Sequence, residues 1–272
     1  MMRALWSAAS GMISQQANVD TISNNLANVN TTGFKNDKAE FKSLLYQNIQ
    51  TRTTTANGAQ KPVGAQVGLG TRLSSITTSF VQGPMLASES PTAFCISGQG
   101  FFAVRGGDGE TYYTRNGDFK WSRGTTGWTL ATSDGYPVLD TKGNAIVLPE
   151  NVPNNQVTFT SKTGELGYMD NEGKYISLNQ TIGVWQFNNP AGLDKVSGSR
   201  YAVTAASGGA MNEATTAGLI KSDVVNKYLE GSNVQVADEM VNLIVAQRAY
   251  EMNSKAIQAS DDMLGQANSL RR

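Results

Sequence analysis

Apolar residues near both ends of the chain recur at alternating spacings of four and three residues. The N-terminal series consists of Leu5, Ala9, Met12, Gln16, Val19, Ser23 and Leu26. The C-terminal series consists of Val236, Met240, Leu243, Gln247, Tyr250, Ser254, Ile257, Asp261 and Leu264. This spacing puts a narrow apolar stripe along one side of an α-helix, as in the seam of a coiled coil. We therefore predict two terminal helices whose seams pack against each other or against other copies of the chain.

The limits of these helices follow from their flanking residues. The first is predicted over about residues 3–28, because a loop-forming cluster follows at 28–33. A short helical piece is expected next, with Phe41, Leu44 and Leu45 on one face. Ser232 followed by Gln235 fits a capping box, which predicts the start of the last helix. We expect this helix to run to about Ala267.

Residues 47–70 differ from both neighbours, since they are polar, rich in threonine and contain several glycines. We interpret them as an extended arm or a loose hairpin that turns near Asn57-Gly58, with a disordered linker as the alternative. The arm's sizeable apolar residues, expected to anchor it, are Ile49, Val63, Val67 and Leu69.

Between residues 71 and about 225, short β-forming runs alternate with glycine-containing turns. Hairpins are predicted across residues 107–109, 134–135 and 171–173, and a further strand over 181–187. Such spacing favours an antiparallel barrel or irregular sandwich over βαβ units. The predicted fold class is α+β, divided into an N-terminal helical segment (1–46), the arm (47–70), a β-rich outer domain (71–228) and a C-terminal helical segment (229–272).

Composition narrows the chemistry that this chain can perform. The 22 basic and 22 acidic residues balance, which gives no support to binding of nucleic acid. The chain has no histidine and one cysteine, Cys95, so histidine-dependent catalysis and a Cys/His zinc site are excluded. No apolar run reaches the roughly 18 residues of a membrane span, and the N-terminal segment lacks the apolar core of a Sec-type signal peptide. We predict no catalytic residues, no metal, no cofactor and no membrane insertion.

Two long terminal motifs carry a family resemblance. Residues 23–35, SNNLANVNTTGFK, and the segments LEGSNV at 229–234 and EMVNLIVAQRAYEMNSKAI at 239–257 closely resemble the signatures of bacterial flagellar rod and hook proteins. The middle motifs ISGQGFF at 96–102 and YTRNG at 113–117 resemble those of the shared β-domain. Within the family, the length and the opening Arg3-Ala4-Leu5-Trp6 most resemble the distal rod members.

The resemblance implies a structural role. Family members form a hollow helical tube, with the paired terminal helices as its inner wall and the β-domain outside. It also implies assembly with copies of itself and with other rod and hook proteins, and export from the cytoplasm by the flagellar type III apparatus without a cleaved signal peptide. An arm at this position in distal rod members packs between subunits and keeps the rod straight.

Three alternatives stay open at this point. Within the family, the chain could be a proximal rod or short hook protein. A carbohydrate-binding β-domain on a coiled coil would need an exposed aromatic platform drawn from Trp121, Trp128, Trp185, Tyr112 and Tyr113. A glycosidase would need two carboxylates about 5 to 9.5 Å apart across a cleft.

Overall fold

The protein, in a computed structural model, is described over residues 2–50, 64–124, 127–149, 157–160, 164–169 and 175–270. Its contacts divide it into two compact units. The helical unit comprises Met1–Ala27, Asp37–Thr78 and Gln235–Arg272. The β unit comprises Asn28–Asn36 and Ser79–Val234. The short segment after the first helix therefore folds with the β unit, although the residues on both sides of it belong to the helical unit.

Two long helices dominate the helical unit, α1 (Met2–Ala27) and α2 (Val236–Ser269). They run antiparallel, because Asn25 lies beside Glu239 while Gly11 lies against Asn253. The predicted pair of terminal helices is confirmed. The predicted capping box is wrong: the residue before α2 is Gln235, whose side chain makes no cap, and the Ser232 hydroxyl instead accepts a hydrogen bond from the Val234 amide at 3.3 Å.

A long antiparallel hairpin completes the helical unit. Its strands are β1 (Asp37–Ser43), β2 (Tyr46–Gln50), β3 (Ala65–Gly68) and β4 (Thr71–Thr78). β1 pairs with β4 and β2 with β3, and the Leu44 and Leu69 amides bridge the two ladders by donating to Gly70 and Leu45. The helical piece expected around Phe41 is therefore wrong. A complete ladder with the threonine-rich β4 decides the conformation of β1, which local spacing cannot reveal.

The described part of the β unit contains sixteen short strands. In chain order they are β5 (Met85–Ala87), β6 (Phe94–Ser97), β7 (Phe101–Arg105), β8 (Thr111–Thr114), β9 (Phe119–Gly124), β10 (Gly127–Thr132), β11 (Val147–Leu148), β12 (Val157–Thr160), β13 (Glu165–Met169), β14 (Tyr175–Thr181), β15 (Val184–Gln186), β16 (Asp194–Val196), β17 (Arg200–Ala202), β18 (Met211–Asn212), β19 (Asp223–Asn226) and β20 (Tyr228–Glu230). A single 3-10 turn, Pro190–Gly192, is described among them. All the pairings described are antiparallel, and the largest sheet has the order β16-β17-β8-β7-β15-β18. The antiparallel β-rich middle is therefore confirmed.

The strand β7 joins the two apolar cores of the β unit. Successive side chains of a strand point to opposite faces. Phe102 and Val104 accordingly enter one core, and Phe101 and Ala103 enter the other. All four are fully buried, which explains why this run is continuously apolar.

Turn chemistry predicted most of the local pairings. β7 pairs with β8, β13 with β14, and β10 bridges to Pro137 beyond the turn at Gly135. The strand predicted over 181–187 is interrupted between β14 and β15. There the Trp185 ring packs so closely on Gly183 that a Cβ at this position would lie 2.1 Å from a ring carbon.

Candidate assembly surface on the terminal helices

The contact between α1 and α2 uses small and polar side chains. The buried residues of α2 are Glu239, Ala246 and Ser260. Across from them, a Cβ on Gly11 would lie 2.8 Å from Asn253 Nδ2, so the two helices approach closely there. Many large apolar side chains of the two helices therefore remain outside this contact.

Those large side chains lie at the surface of this single chain. Met240 is 52% exposed, Ile244 54% and Val245 62% on α2, and Ile13 is 73% exposed on α1. Other exposed large apolar residues on the two helices are Trp6, Val236, Val241, Tyr250, Met252, Met263 and Leu264. So many apolar groups on a helix pair are unusual for a surface that meets only water.

The predicted seam residues divide into two groups. Leu5, Met12, Val19, Leu26, Leu243 and Ile257 are half-buried. Val236, Met240, Tyr250 and Leu264 are exposed. The fully buried residues of α2, which are Glu239, Ala246 and Ser260, lie beside the predicted stripe. The role of the seam residues in subunit packing stays a prediction.

A groove of about 600 Å³ follows the α1–α2 pair and contains several of these residues. Its lining is Ala9, Met12, Ile13, Gln16, Ala17, Asp20 and Tyr250. The groove is mostly apolar and open to the surface, a shape suited to a side chain or helix from another molecule.

Hydroxyl groups hold the middle of the hairpin against α1. The Ser14 and Thr71 hydroxyls lie 3.1 Å apart, and the Ser10 hydroxyl accepts a bond from the Thr71 amide at 3.3 Å. Asn25 clamps the start of β1, because its Nδ2 donates to the Asp37 carbonyl at 2.8 Å and its Oδ1 accepts from the Asp37 amide at 2.9 Å. The hairpin therefore stands on α1 of its own chain.

The arm residues lie toward the far end of this hairpin. Ile49 and Leu69 are exposed, and Val67 is half-buried. Val63 and the turn predicted at Asn57-Gly58 lie outside the described residues. Leu45 and Tyr46, which directly precede the predicted arm, are also exposed and extend its apolar surface.

The aromatic residues considered as a carbohydrate platform belong to the cores. Trp185 and Tyr113 are buried in the core that contains Phe101. Tyr112, Trp121 and Trp128 pack half-buried against the core that contains Phe102. These five rings therefore stabilise the β unit and form no common exposed face.

No helix in the part of the chain described here is long and apolar enough to cross a membrane.

Comparisons with known proteins agree with this architecture. Family models match residues 5–35 (flagella basal body rod protein), 95–166 (flagellar hook protein FlgE/F/G D1 domain) and 225–270 (flagellar basal body rod FlgEFG protein C-terminal). Relatives that carry the name flagellar basal-body rod protein FlgG are similar over their full length. The protein from Borreliella burgdorferi is 44% identical across 100% of both chains, and that from Bacillus subtilis 36% across 100% of both. The Agrobacterium fabrum protein is 38% identical, with 96% of this chain and 97% of the relative covered.

The fold, the helix pair and the matches to known proteins together define a structural protein of the flagellar rod and hook class. The chain belongs to the family of flagellar basal-body rod proteins. The resemblance seen in the terminal motifs and the rod-protein function it implied are confirmed, with a location in the flagellar basal body.

Proposed function

We propose that this protein is an axial subunit that polymerises into the hollow distal rod and transmits motor torque to the hook without catalytic turnover. The observation that carries the proposal is the exposed apolar surface of α1 and α2. Side chains such as Met240 and Ile244 remain exposed although the two helices already pair through small residues.

The energetics favour burial of this surface in a polymer. Complete burial of a large apolar side chain stabilises by about 1.5–3 kcal/mol. Among the described residues, α1 presents Trp6 and Ile13 and α2 presents nine such side chains. A helical polymer repeats the contact at every subunit. The partners we propose are other copies of this chain, neighbouring rod and hook proteins, and the flagellar export apparatus.

Export without a cleaved signal peptide is the second part of the proposal. Residues 2–27 form α1, whose Asn25 contacts both β1 and α2. A segment with such contacts is part of the working subunit, so its removal during export would dismantle the helical unit. Subunits recovered from purified basal bodies should therefore retain residues 2–27, as mass spectrometry of their N-terminal peptides would reveal.

A charge placed on the exposed stripe tests the polymerisation. Met240→Glu should abolish rod assembly and motility while the monomer keeps its fold, because Met240 is 52% exposed in the single chain. In a packed interface the same carboxylate would be desolvated without a partner, at a cost of several kcal/mol. Gln258→Glu adds the same charge at another exposed position of α2 and should support motility. Rods of normal length from Met240→Glu cells, seen by electron microscopy, would refute the proposed interface.

We also propose that the arm stiffens the rod by packing on neighbouring subunits. Ile49 of the arm is exposed, as are Leu45 and Tyr46 directly before it, and together they form an apolar surface. Deletion of residues 50–66 should leave polymerisation intact and produce curved rods. Straight rods from the deletion strain, with the wild type imaged in parallel, would assign the stiffness to the helices instead.

A further inference from the structure

Glu230 is the centre of a fully buried charge cluster in the β unit. Its Oε1 accepts hydrogen bonds from Lys35 Nζ at 2.6 Å and from the Gly83 amide at 3.0 Å. Its Oε2 lies 3.3 Å from Arg115 Nη1. The three charged side chains are 0–1% exposed. We call Lys35, Arg115 and Glu230 the charge clasp.

The charge clasp joins two segments that are 195 residues apart in the sequence. Lys35 belongs to the segment that follows α1, and Glu230 to the one that precedes α2. Backbone contacts reinforce the junction, since the Gly33 amide donates to the Glu230 carbonyl at 2.8 Å. Asn233 adds a side-chain contact, because its Oδ1 accepts from the Asn36 amide at 2.8 Å.

Both segments also share one strip of the β unit as their support. The Val81 carbonyl accepts from Lys35 Nζ at 2.8 Å and from Asn233 Nδ2 at 3.1 Å. Asn233 Nδ2 also donates to the Ser79 carbonyl at 2.9 Å. The two segments therefore share a hydrogen-bond acceptor on the β unit.

The charges make this mutual dependence strong. Two cations surround one carboxylate, and burial lowers the pKa of Lys35 while the nearby Glu230 opposes that decrease. Arg115 gains further contacts from the Gly98 carbonyl at 2.7 Å and from the Phe101 ring, whose centroid is 5.1 Å away. Without Glu230, docking of Lys35 would bury a second cation beside Arg115 with no counter-charge, which is strongly unfavourable.

We propose that the charge clasp couples the ordering of the two junction segments, so that residues 28–36 dock on the β unit only together with residues 228–234. The coupling is a property of the single subunit and goes beyond its role in the rod. It would make the junctions to both terminal helices form as one step, so that a subunit with one junction docked and the other free is rarely populated.

Reciprocity provides the test, since coupling between two sites acts equally in both directions. In Lys35→Met, amide hydrogen exchange of the full-length monomer should accelerate about tenfold at residues 228–234. In Glu230→Gln, it should accelerate by at least about the same factor at residues 28–36, because this variant also leaves two buried cations without their counter-charge. Amides of β7 and β8 should change less than about twofold, because the coupling is local to the junctions.

Two further variants make the test independent of simple destabilisation. Lys35→Met/Glu230→Gln removes one cation together with the carboxylate charge, so its junctions should exchange more slowly than those of Glu230→Gln alone. Glu110→Gln makes the same chemical change at an exposed turn of the β unit and should match the wild type.

Two results would overturn the proposal. One is acceleration confined to the mutated segment in both Lys35→Met and Glu230→Gln. The other is equal acceleration at the junctions and in β7, which would make the charge clasp an ordinary part of global stability. If Glu230→Gln does not fold, Lys35→Met still tests the proposal. This variant keeps the Arg115–Glu230 pair, and its effect is measured at the distant residues 228–234.

Discussion

The helical unit and the β unit bury their residues in opposite ways. Phe94, Phe101, Phe102 and Phe119 of the β unit are completely buried. Among the described residues of α2, the buried ones are a glutamate, an alanine and a serine. A domain of the first kind can be stable alone, since burial of apolar surface is the main favourable term in folding. A helix pair of the second kind gains most of its stability when another surface covers it.

The largest difference between the units should appear when one large apolar side chain is truncated in each. Phe102→Ala should destabilise the β unit by about 3–5 kcal/mol, because Phe102 is fully buried and packs edge-on against Phe119 at 5.2 Å. Ile244→Ala should change the stability of the monomer by less than about 0.5 kcal/mol, because Ile244 is already exposed. Urea unfolding followed by tryptophan fluorescence would measure both. Equal losses would mean that the monomer covers α2 with a surface of its own.

Proteolysis should separate the units by rate. We expect trypsin to cut the monomer at Arg248 and Lys255 of α2 at least about tenfold faster than at Lys120 of β9, because local opening precedes global unfolding. Mass spectrometry of timed digests would identify the cuts. Assembled rods provide the control, in which the α2 sites should become resistant. Slow cleavage at the α2 sites of the monomer would mean that the helix pair is stable without neighbours.

Local signals predicted the turns and the existence of both helices well. Gly109 and Gly135 adopt positive φ angles of 86° and 85°. Such turns favour glycine, so the residues Asp-Gly are informative without any knowledge of the rest of the fold. The heptad-like spacing likewise identified α1 and α2, because it depends only on residues a few positions apart.

The sequence-based predictions failed where residues far apart in the chain determine the local structure. β1 is a strand because it pairs with β4, whose partner residues lie 28 to 41 positions later in the chain. The fully buried residues of α2 include Ala246 and Ser260, which a search for large apolar side chains does not select. The charge clasp brings together Lys35, Arg115 and Glu230. The sequence shows Glu230 only as a single charged residue at the end of the short strand β20. Long-range ion pairs leave no periodic pattern.

Two helical glycines offer a matched test of the close approach between the helices. Gly265→Ala should stabilise α2 by about 1 kcal/mol, because a Cβ there meets nothing within 4 Å and alanine is the better helix former. Gly11→Ala should gain less, since its Cβ would press on Asn253. The double variant Gly11→Ala/Asn253→Ala should recover the gain. Helix unfolding followed by circular dichroism at 222 nm would compare them. Equal gains at Gly11 and Gly265 would show that α1 and α2 are not in close contact at Gly11.

The smallest expected effect is the pH dependence of the helical unit through Glu239. Burial raises the pKa of this carboxyl above its ordinary value of 4.5, although Asn25 donates to it. The folded chain therefore binds the proton more tightly than the unfolded chain, so the contribution of Glu239 to stability is complete below pH 4.5 and decreases as the pH rises through the folded pKa. Glu239→Gln removes this loss, so the variant should be more stable than the wild type at pH 7, and the difference should shrink as the pH falls below 4.5.

Asp238→Asn is the control, because Asp238 is exposed in the first turn of α2, where a negative charge favours the helix. This variant should lose a few tenths of a kcal/mol at pH 7. Thermal unfolding at 222 nm across this pH range would follow the three proteins. A Glu239→Gln variant that is less stable than the wild type at neutral pH would show that the ionised carboxylate is a favourable link between α1 and α2.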